Sequence, residues 1–557
     1  MRQVRSRARA RTPLSLLLSC CLALLAVHPP ALSAAAADDA APGESTSGAN
    51  PSAAAAPAAQ ADASVVGQWG ALSADWPTVP IHLSLLPNGK LLFWGRDKLN
   101  GNDVVGSTKA FVWSPNYSTA NLYDGPFTAV TNTTTNLFCS GHSFLPDGRL
   151  LVTGGHGHAN FDGIGITHTN IFNYNNNTWT RGPDMNRGRW YPFNVTLASG
   201  ETLVVSGRWW DGTFVGGAPR LQTNNVPQVY TAAGTLQTLN AINQVEQPLY
   251  PWLHLMQDGR VFLSGYAQQS YYLNVAAQQW QLGPLSSQLG RGTGSGVMYD
   301  VGKVLIMGGG DPPSSAGVSE AIDLTQPSPF FRAAGQMIFP RRQMTAVLLP
   351  TGNVMVFGGT SSGGFNDAAG AIHQPEQWDR ATETWSAMAA TPSGTPRLYH
   401  STAVLLPDAR VLVAGGGLPA AANQNTQGQP GGLFGYKKVE IFSPPYLFRA
   451  GGLASVRPVI TTAPTNVTYG QTFNVGMGPS VSALNIRKVT LVRLPSMTHS
   501  FNQDQRINYL TYMPRMDGAS LDVTAPTDRR HCPPGHYMMF IINAKGTPSV
   551  AKIIKIS

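Results

Sequence analysis

The sequence predicts an all-β protein, and three features support this fold class. Charged residues make up only 12% of the 557 residues, whereas glycine (59) and proline (42) are plentiful, a composition typical of turn-rich β proteins. A strand–turn–strand unit that ends in Gly or Gly-Gly recurs along most of the chain. Closely spaced short strand patterns follow the last of these units. We therefore expect a β-propeller followed by a β-sandwich.

Residues 1–37 have the composition of a signal peptide. Five arginines precede an apolar stretch from Leu14 to Val27, and the small-residue run ALSAAAA follows it, as in secretory leaders. The apolar stretch is short for a membrane span, so we expect export without a transmembrane anchor. A lipoprotein anchor at Cys20 is disfavoured because only six residues separate Pro13 from Cys20. The protein is predicted to be secreted or at the cell surface, or periplasmic in a bacterium with two membranes.

Residues 38–65 are predicted to form a disordered linker. They are rich in Ala, Pro, Ser and Gly, and such a segment buries too little apolar surface to fold. Removal of the leader lowers the 38 basic residues to 33 against 29 acidic ones, a net charge of +4 instead of +9. The sequence has no basic run with interleaved aromatic residues, which excludes nucleic acid as a partner. We expect a monomer.

Residues 66–445 are predicted to form a seven-bladed β-propeller of the kelch type. The repeated unit occurs seven times, for example as LSLLPNGKLLFWG from Leu83 and STAVLLPDARVLVAGGG from Ser401. Its period is near 50 residues, and aromatic residues often follow the hairpin, as in IFNYNNNTWTRGP; both features are typical of kelch blades. Loops from all blades meet at the ends of the central channel, where functional sites are commonly built.

Residues 446–557 are predicted to form an immunoglobulin-like β-sandwich. The repeat period stops after VEIFSPPYLFRAGG, and the remaining sequence contains short strand patterns such as RKVTLVRLPSMTHSF and HYMMFIINAKG. Short strands separated by turn signals are typical of such a sandwich.

Four motifs stand out from this regular background because their side chains can bind a metal or carry redox chemistry. They are LFCSGHS with Cys139, RGRWYPF with Tyr191, RLYHSTAVLLP with Tyr399 and His400, and PSMTHSFNQDQR with His499. The first three lie at the start of a repeat and should meet at one end of the channel. His499 would have to reach in from the sandwich. Thiol, phenol and imidazole side chains are all possible ligands of a transition metal.

These motifs, in this order, resemble those of the copper radical oxidases, the family that includes galactose oxidase and glyoxal oxidase. The resemblance extends from about residue 65 to the end of the chain and includes R-x-Y-H-S, F-C-S-G, T-H-x-x-N-x-D-Q-R and PPG-H-Y-M-M-F. It implies one copper ion per chain, with Tyr191, Tyr399, His400 and His499 as its ligands.

The resemblance also implies a redox cofactor made from the protein itself. Cys139 would form a thioether to the ring of Tyr191, and this ring would carry a radical. An indole would stack on the ring from the position of Trp209, 18 residues after Tyr191. Tyr399 would accept the hydroxyl proton of the substrate. Copper changes by one electron whereas alcohol oxidation removes two, so a second redox centre is needed.

The expected activity is oxidation of a primary alcohol on a sugar or glycan to an aldehyde, with O2 reduced to hydrogen peroxide. A first alternative is glyoxal oxidase-like oxidation of small aldehydes to carboxylic acids, because RWYP around Tyr191 is closer to glyoxal oxidase and NQDQR after His499 is closer to galactose oxidase. A second alternative is a non-catalytic kelch propeller that binds a glycan or a protein. Cys139 favours an oxidase, since a binding module has no use for a cysteine opposite a tyrosine.

Two further patterns could compete with this interpretation. Cys139 and Cys532 are the two cysteines left after leader removal, and such a pair in an exported protein commonly forms a disulfide; the role implied for Cys139 makes Cys532 a separate thiol instead. The segment GGHGHANFDGIGITHTN contains His156, His158 and His168, but without a fixed ligand spacing. It is interpreted as a loop and not as a second metal site.

Overall fold

The computed structural model describes residues 61–557 apart from 100–101, 118, 120, 241–244, 311–316, 363–365 and 418–434. The predicted signal peptide and residues 38–60 of the predicted linker lie outside these described residues. The described chain is almost entirely β-structure, which confirms the predicted fold class. Its helices are one α-helix, Ala63–Val66, and four short 3-10 helices, Leu122–Asp124, Ala368–Gly370, Pro445–Leu447 and Ala483–Asn485. Among the described residues, none of these helices is long and apolar enough to cross a bilayer.

The last residues of the predicted linker are ordered, so this part of the prediction is wrong. Asp62 caps the helix Ala63–Val66 by accepting a hydrogen bond from the backbone N–H of Ser64. The same carboxylate accepts hydrogen bonds from the backbone N–H groups of Gly451 and Gly452. Composition could not predict this, because the partners of Asp62 lie almost 390 residues away in the sequence.

Within the described residues, the segment 68–443 contributes four strands to each of seven antiparallel sheets, called here blades 1 to 7 in chain order. Each predicted repeat supplies the first two strands of one blade. The strands of blades 1 to 3 are His82–Leu85, Leu91–Trp94, Ala110–Trp113 and Phe127–Ala129; Gly141–Phe144, Leu150–Thr153, Thr169–Asn173 and Thr178–Arg181; and Phe193–Thr196, Thr202–Val205, Gln228–Tyr230 and Leu236–Thr238.

Blades 4 to 7 repeat this arrangement. Their strands are Leu253–Leu255, Val261–Leu263, Ala267–Asn274 and Gln279–Gly290; Ser295–Asp300, Lys303–Met307, Val318–Asp323 and Phe331–Gln336; Thr345–Leu348, Val354–Phe357, Glu376–Asp379 and Thr384–Ala387; and Ser401–Leu405, Val411–Gly415, Glu440–Ser443 and Gln68–Trp69. Smaller two-stranded pairings are Lys98–Leu99 with Asn102–Asp103, Arg208–Val215 with Ala218–Thr223, and Phe448–Arg449 with Leu453–Ala454.

The first and last strands of the propeller segment belong to the same sheet. Gln68–Trp69 pairs antiparallel with Glu440–Ser443 as the outer strand of blade 7. The first strand of blade 7 in turn contacts the first strand of blade 1, His82–Leu85. Blades 7 and 1 are therefore held together both by backbone pairing and by packing of their inner strands.

Residues 460–556 form two β-sheets that enclose a separate apolar cluster. One sheet has the order Ile460–Thr462, Thr472–Met477, Ser520–Thr524 and Tyr512–Pro514; the other has the order Asn466–Val467, Lys552–Ile556, Gly535–Asn543, Ile486–Arg493 and Ile507–Leu510. Leu491, Leu521 and Ile541 are fully buried in the cluster. Cys532 is a buried thiol beside them, with its pKa raised by burial to about 11, and no disulfide joins it to Cys139.

One segment of the sandwich, Ser496–Arg506, lies among the inner strands of the propeller and is called here the central insert. Its strand Ser496–Thr498 pairs with the first strand of blade 1 and turns back through Phe501–Asn502. Its side-chain oxygens accept hydrogen bonds from inner-strand N–H groups of three blades. Gln503 Oε1 accepts from His142 (3.0 Å) and Asn194 (3.1 Å), Asp504 Oδ2 from Thr196 (3.3 Å), and Gln505 Oε1 from Leu348 (2.7 Å).

Replacing Gln503 with Leu is expected to lower the free energy of unfolding by about 2–6 kcal/mol, because two buried N–H groups would each lose their acceptor at about 1–3 kcal/mol. Urea unfolding of the metal-free protein measures this loss. Gln237→Leu is the matched control, since Gln237 is exposed in the outer strand of blade 3. Equal losses in the two variants would contradict the proposed contribution of the central insert.

Candidate metal centre

Three of the predicted site residues occupy one repeated position of the propeller. Cys139, Tyr191 and His400 each stand nine residues before the second turn residue of their repeats, which is Gly148, Gly200 or Ala409. All three have a positive φ, at 63°, 66° and 67°, which is uncommon for residues other than glycine. The backbone therefore makes the same turn just before the inner strand of blades 2, 3 and 7.

The same position in blade 4 is Tyr250, which the sequence analysis did not identify. Tyr250 also has a positive φ, of 47°, and stands nine residues before the turn residue Gly259. Its ring stacks on Tyr191 with centroids 4.4 Å apart, and its hydroxyl donates to the backbone carbonyl of Ser140. The register of the repeats was the signal that could have identified it, since no distinctive motif surrounds it.

The structure brings the four predicted metal ligands together. The hydroxyl groups of Tyr191 and Tyr399 are in direct contact, and the rings of Tyr399 and His400 are stacked with centroids 3.9 Å apart. The ring of His499 lies 4.6 Å from that of His400 and 4.6 Å from that of Tyr191. His499 belongs to the central insert, so the sandwich domain does supply a side chain to the cluster.

Cys139 lies beside this cluster and is fully buried. Its Sγ is 3.8 Å from Nε2 of His499. Its backbone carbonyl accepts a hydrogen bond of 2.9 Å from the backbone N–H of Tyr191. This bond fixes the spacing of the two main chains at the point where the sequence analysis expects a thioether between the side chains.

Burial decides the protonation of the cluster. It raises the pKa of Tyr191 well above its usual value, with smaller contributions from Cys139 and Tyr399. It lowers the pKa of His400 to about 3, assisted by the nearby Arg96, and lowers that of His499 well below its usual value. At neutral pH both imidazoles are uncharged and can use a nitrogen lone pair for a metal, whereas Tyr191 holds a proton that a metal would have to displace.

The donor atoms fit a copper ion. His400 is buried, and apart from a backbone contact with Gly417 neither of its ring nitrogens forms a hydrogen bond of ordinary geometry within the described residues; an unsatisfied buried nitrogen is costly unless another group satisfies it. His499 uses Nδ1 in a 2.6 Å contact with Thr498 Oγ1, which leaves Nε2 for the cluster. Two imidazole nitrogens and two phenol oxygens form a mixed N,O set that suits Cu(II).

The indole that stacks on Tyr191 is Trp190, so the assignment of this role to Trp209 is wrong. The Trp190 and Tyr191 rings are 3.6 Å apart and inclined by 7°. Trp209 instead lies in the hairpin that starts at Arg208, and the guanidinium of Arg187 is 4.2 Å above its ring. The backbone of Arg208 pairs with Trp190 in both directions, so Trp190 is the indole held next to the ring of Tyr191.

Tyr191 is therefore enclosed by two aromatic rings. Stacked rings at 3.6 Å and 4.4 Å could not share one face without overlapping, so Trp190 and Tyr250 must cover opposite faces. Offset stacking of this kind contributes about 0.5–1.5 kcal/mol per pair beyond area burial. The sequence spacing of 18 residues pointed to the wrong indole because it ignored the turn at Tyr191.

A second group of metal-binding side chains, Asp103, His156 and Asp162, has its ligand atoms within 4.8 Å of one another. Arg96 already binds both of these carboxylates. It donates two hydrogen bonds to Asp103 (2.6 and 2.7 Å) and one to Asp162 (2.7 Å). A guanidinium held in this way repels a metal ion, which favours the loop interpretation of the segment that contains His156.

Comparisons with known proteins agree with this geometry. Residues 102–280 and 314–446 match the family described as "Glyoxal oxidase N-terminus", and residues 457–556 match "Galactose oxidase-like, Early set domain". The chain is 29% identical over 517 residues to a galactose oxidase of Gibberella zeae, covering 88% of this chain and 71% of that protein. It is 30% identical over 460 residues to the aldehyde oxidase GLOX of Vitis pseudoreticulata, covering 76% of this chain and 82% of that protein.

A solved structure is also similar over most of the chain. It is described as a novel fungal alcohol oxidase with catalytic diversity among the AA5 family, in complex with copper. The TM-score is 0.74 at 25% sequence identity, and the match covers 88% of this chain and 100% of that one. The resemblance inferred from the motifs is thus confirmed: the chain belongs to the glyoxal oxidase family, with a galactose oxidase-like early set domain at its carboxyl end.

Proposed function

We propose that the protein is a copper radical oxidase that converts a primary alcohol to an aldehyde and reduces O2 to hydrogen peroxide. One observation carries this proposal: two partly buried tyrosines and two buried histidines from three separate parts of the chain converge in one cluster with Cys139 beside them. The relatives named galactose oxidase and aldehyde oxidase, and the similar copper-bound alcohol oxidase, support the same chemistry.

One copper ion would be held by Tyr191, Tyr399, His400 and His499. Copper bound here would supply a one-electron acceptor and a Lewis acid for the substrate oxygen, which complements a protein radical because alcohol oxidation removes two electrons. We propose that residues 66–445 form the catalytic propeller and that residues 446–557 contribute His499 to it.

Individual side chains are proposed to perform the remaining chemical steps. Tyr191, once its ring bore the sulfur of Cys139 and had lost one electron, would take the hydrogen atom from the substrate carbon at its phenol oxygen. A sulfur substituent donates electron density, so this ring is easier to oxidise than that of an ordinary tyrosine. Trp190 and Tyr250 exclude water from its two faces. Tyr399 accepts the proton of the substrate hydroxyl.

The substrate must carry a hydrogen on the same carbon as a hydroxyl group. A primary alcohol has this arrangement, and so does an aldehyde in its hydrated form. We favour a primary alcohol of a sugar or glycan, and oxidation of a small aldehyde to an acid is the alternative that the similarity to GLOX supports. Peroxide release from galactose, glycerol and methylglyoxal, compared at equal concentrations, decides between them.

The protein is proposed to act outside the cytoplasm as a monomer. The basic, apolar and small-residue pattern of residues 1–37 supports export. A copper site that needs O2 and releases peroxide is compatible with an extracellular or cell-surface location. Detection of the mature chain in the culture medium, with its amino terminus determined, tests this proposal.

Copper loading of the wild-type protein in air is expected to lower its intact mass by two hydrogens, with Cys139 and Tyr191 found in one linked peptide. Cys139→Ser should lack the linkage and turn over to below about one hundredth of the wild-type rate, a loss of about 2.7 kcal/mol in transition-state stabilisation. Cys532→Ser is the matched control and should behave as wild type, because that thiol lies in the sandwich core.

Unlinked peptides in copper-loaded wild-type protein, or full turnover by Cys139→Ser, would contradict a copper radical oxidase. The non-catalytic propeller would then be the better explanation. Binding of glycans by the unlinked protein would support it.

Copper binding is expected to tighten as the pH rises, because the partly buried phenol of Tyr191, whose pKa is raised, must lose its proton to the solvent. Tyr191→Phe should release one proton fewer on binding copper. For each pH unit, the increase in its copper affinity should therefore be about tenfold smaller than the increase for wild type. His400, with a pKa of about 3, should release none at neutral pH. Anaerobic calorimetry in buffers of different ionisation enthalpy counts the protons. Tyr250→Phe is the control that should match wild type, and equal release by all three proteins would contradict Tyr191 as a ligand.

Trp190→Leu is expected to shorten the lifetime of the Tyr191 radical about two- to twelvefold, which corresponds to the loss of one stacked pair worth about 0.5–1.5 kcal/mol. Trp209→Leu should leave the lifetime unchanged, because Trp209 packs under Arg187. The decay of the radical absorption band after oxidation measures both. A larger effect at Trp209 would restore the assignment made from sequence spacing.

A further inference from the structure

A buried histidine outside the metal ligands contacts the backbone of Cys139. His82, the first residue of blade 1, is fully buried. Its Nε2 lies 3.1 Å from the backbone N–H of Cys139 and its Nδ1 lies 3.1 Å from Nε2 of His142. His142 Nδ1 is 2.5 Å from Oγ of Ser496 in the central insert. Three parts of the chain are thus joined by one series of hydrogen bonds.

The positions of the protons in this series are fixed by its first member. A backbone N–H can only donate, so Nε2 of His82 must be an acceptor and the proton of a neutral imidazole must lie on Nδ1. That proton is donated to Nε2 of His142, whose own proton must then lie on Nδ1. His142 donates it to Ser496, whose hydroxyl donates in turn to the backbone carbonyl of His142. Each imidazole therefore has both nitrogens in use.

Hydrogen bonds on both sides fix the backbone of Cys139. Its N–H donates to His82 in blade 1, and its carbonyl accepts from the N–H of Tyr191 in blade 3. Between these bonds Cys139 has a φ of 63°, a conformation that costs about 1–3 kcal/mol in a residue other than glycine. Without its acceptor on the N–H side, this backbone could relax and move the sulfur away from the ring of Tyr191.

The ring of His82 is itself held in place. It stacks on Trp94 with centroids 4.8 Å apart and an inclination of 8°. The indole N–H of Trp94 donates to the backbone carbonyl of Leu137, two residues before Cys139. The indole thus supports the imidazole and also the segment that carries the cysteine.

We infer that His82 is the positioning residue for thioether formation: it holds Cys139 so that its sulfur meets the ring of Tyr191. In this step the S–H bond of Cys139 and one ring C–H bond of Tyr191 break and a carbon–sulfur bond forms. The two protons and two electrons pass to O2, giving hydrogen peroxide, in the presence of copper. The inference rests on the proposed function, because only a copper radical oxidase needs this bond.

The test compares the rate of thioether formation in variants that differ in the side chain at position 82, which accepts the hydrogen bond from the backbone N–H of Cys139. Copper-free protein, purified without oxygen, is mixed with one equivalent of Cu2+ and air, and the loss of two hydrogens is followed by intact mass. His82→Leu removes the acceptor and should slow the reaction about tenfold or more, since small displacements of reacting groups are costly. His82→Gln can place an amide oxygen near the position of Nε2 and should react within about threefold of wild type.

Two controls separate positioning from general loss of packing. His254→Leu removes another buried histidine, bonded to Ser264 in blade 4, and should lower thermal stability without slowing thioether formation. Should His82→Leu not fold, His82→Asn replaces it, because the shorter amide keeps a polar side chain that does not reach the N–H of Cys139. Copper stoichiometry is measured for every variant, so that a change in rate is not a change in metal content.

The outcomes distinguish this inference from the proposed function. Thioether formation in wild-type protein with an equal rate in His82→Leu or His82→Asn would overturn the inference and leave the oxidase intact. An equal slowing by His254→Leu would also overturn it. Copper-bound wild-type protein that never forms the bond would overturn both. The inference is established if His82→Leu slows thioether formation, His82→Gln restores the rate, and both variants bind the full amount of copper.

Discussion

The central insert is the part of the structure on which the functional site depends. Inner strands of a propeller present backbone N–H groups to the channel with no neighbouring strand to bond them, and buried donors need acceptors. Gln503, Asp504 and Gln505 supply these acceptors to blades 2, 3 and 6. The buried pair of Arg493 and Asp504 (3.1 Å) ties the same segment to its own domain. Because these bonds fix the insert, they also fix His499.

The propeller contributes to the site through a repeated turn of its backbone. The residue nine positions before the turn marker has a positive φ in blades 2 to 7, so the conformation is a property of the repeat. The side chain at this position differs from blade to blade. Blades 2, 3, 4 and 7 carry a thiol, two phenols and an imidazole in that order, whereas blades 5 and 6 carry Thr293 and Gln343. The thiol, phenol and imidazole groups are therefore concentrated on one side of a nearly symmetric framework, and the central insert adds His499 to that side.

The sequence predicted the candidate ligands more accurately than the residues that pack around them, and the reasons are physical. Cys139, Tyr191 and His400 could be identified because a periodic strand pattern makes unusual side chains visible. Trp190 and His82 could not, because stacking and hydrogen bonding depend on turns and pairings that have no local signature. The helix capped by Asp62 was missed for the same reason, since its partners follow the last blade. The stacking indole was assigned to Trp209 by linear spacing, which cannot represent the pairing of Arg208 with Trp190.

Hydrogen bonding separates the histidines of the channel into two classes. His82 and His142 have every ring nitrogen committed to a partner in the protein, and together they fix one another's tautomers. Among the described residues, His400 has no hydrogen bond of ordinary geometry at either nitrogen apart from a backbone contact with Gly417, and His499 has a strong one only at Nδ1. A buried nitrogen lone pair without a partner is costly to the fold, and the proposed copper ion would satisfy one on each of these two imidazoles. All four imidazoles lie close together, and this difference is consistent with the proposed metal binding by His400 and His499 and with a different role for His82 and His142.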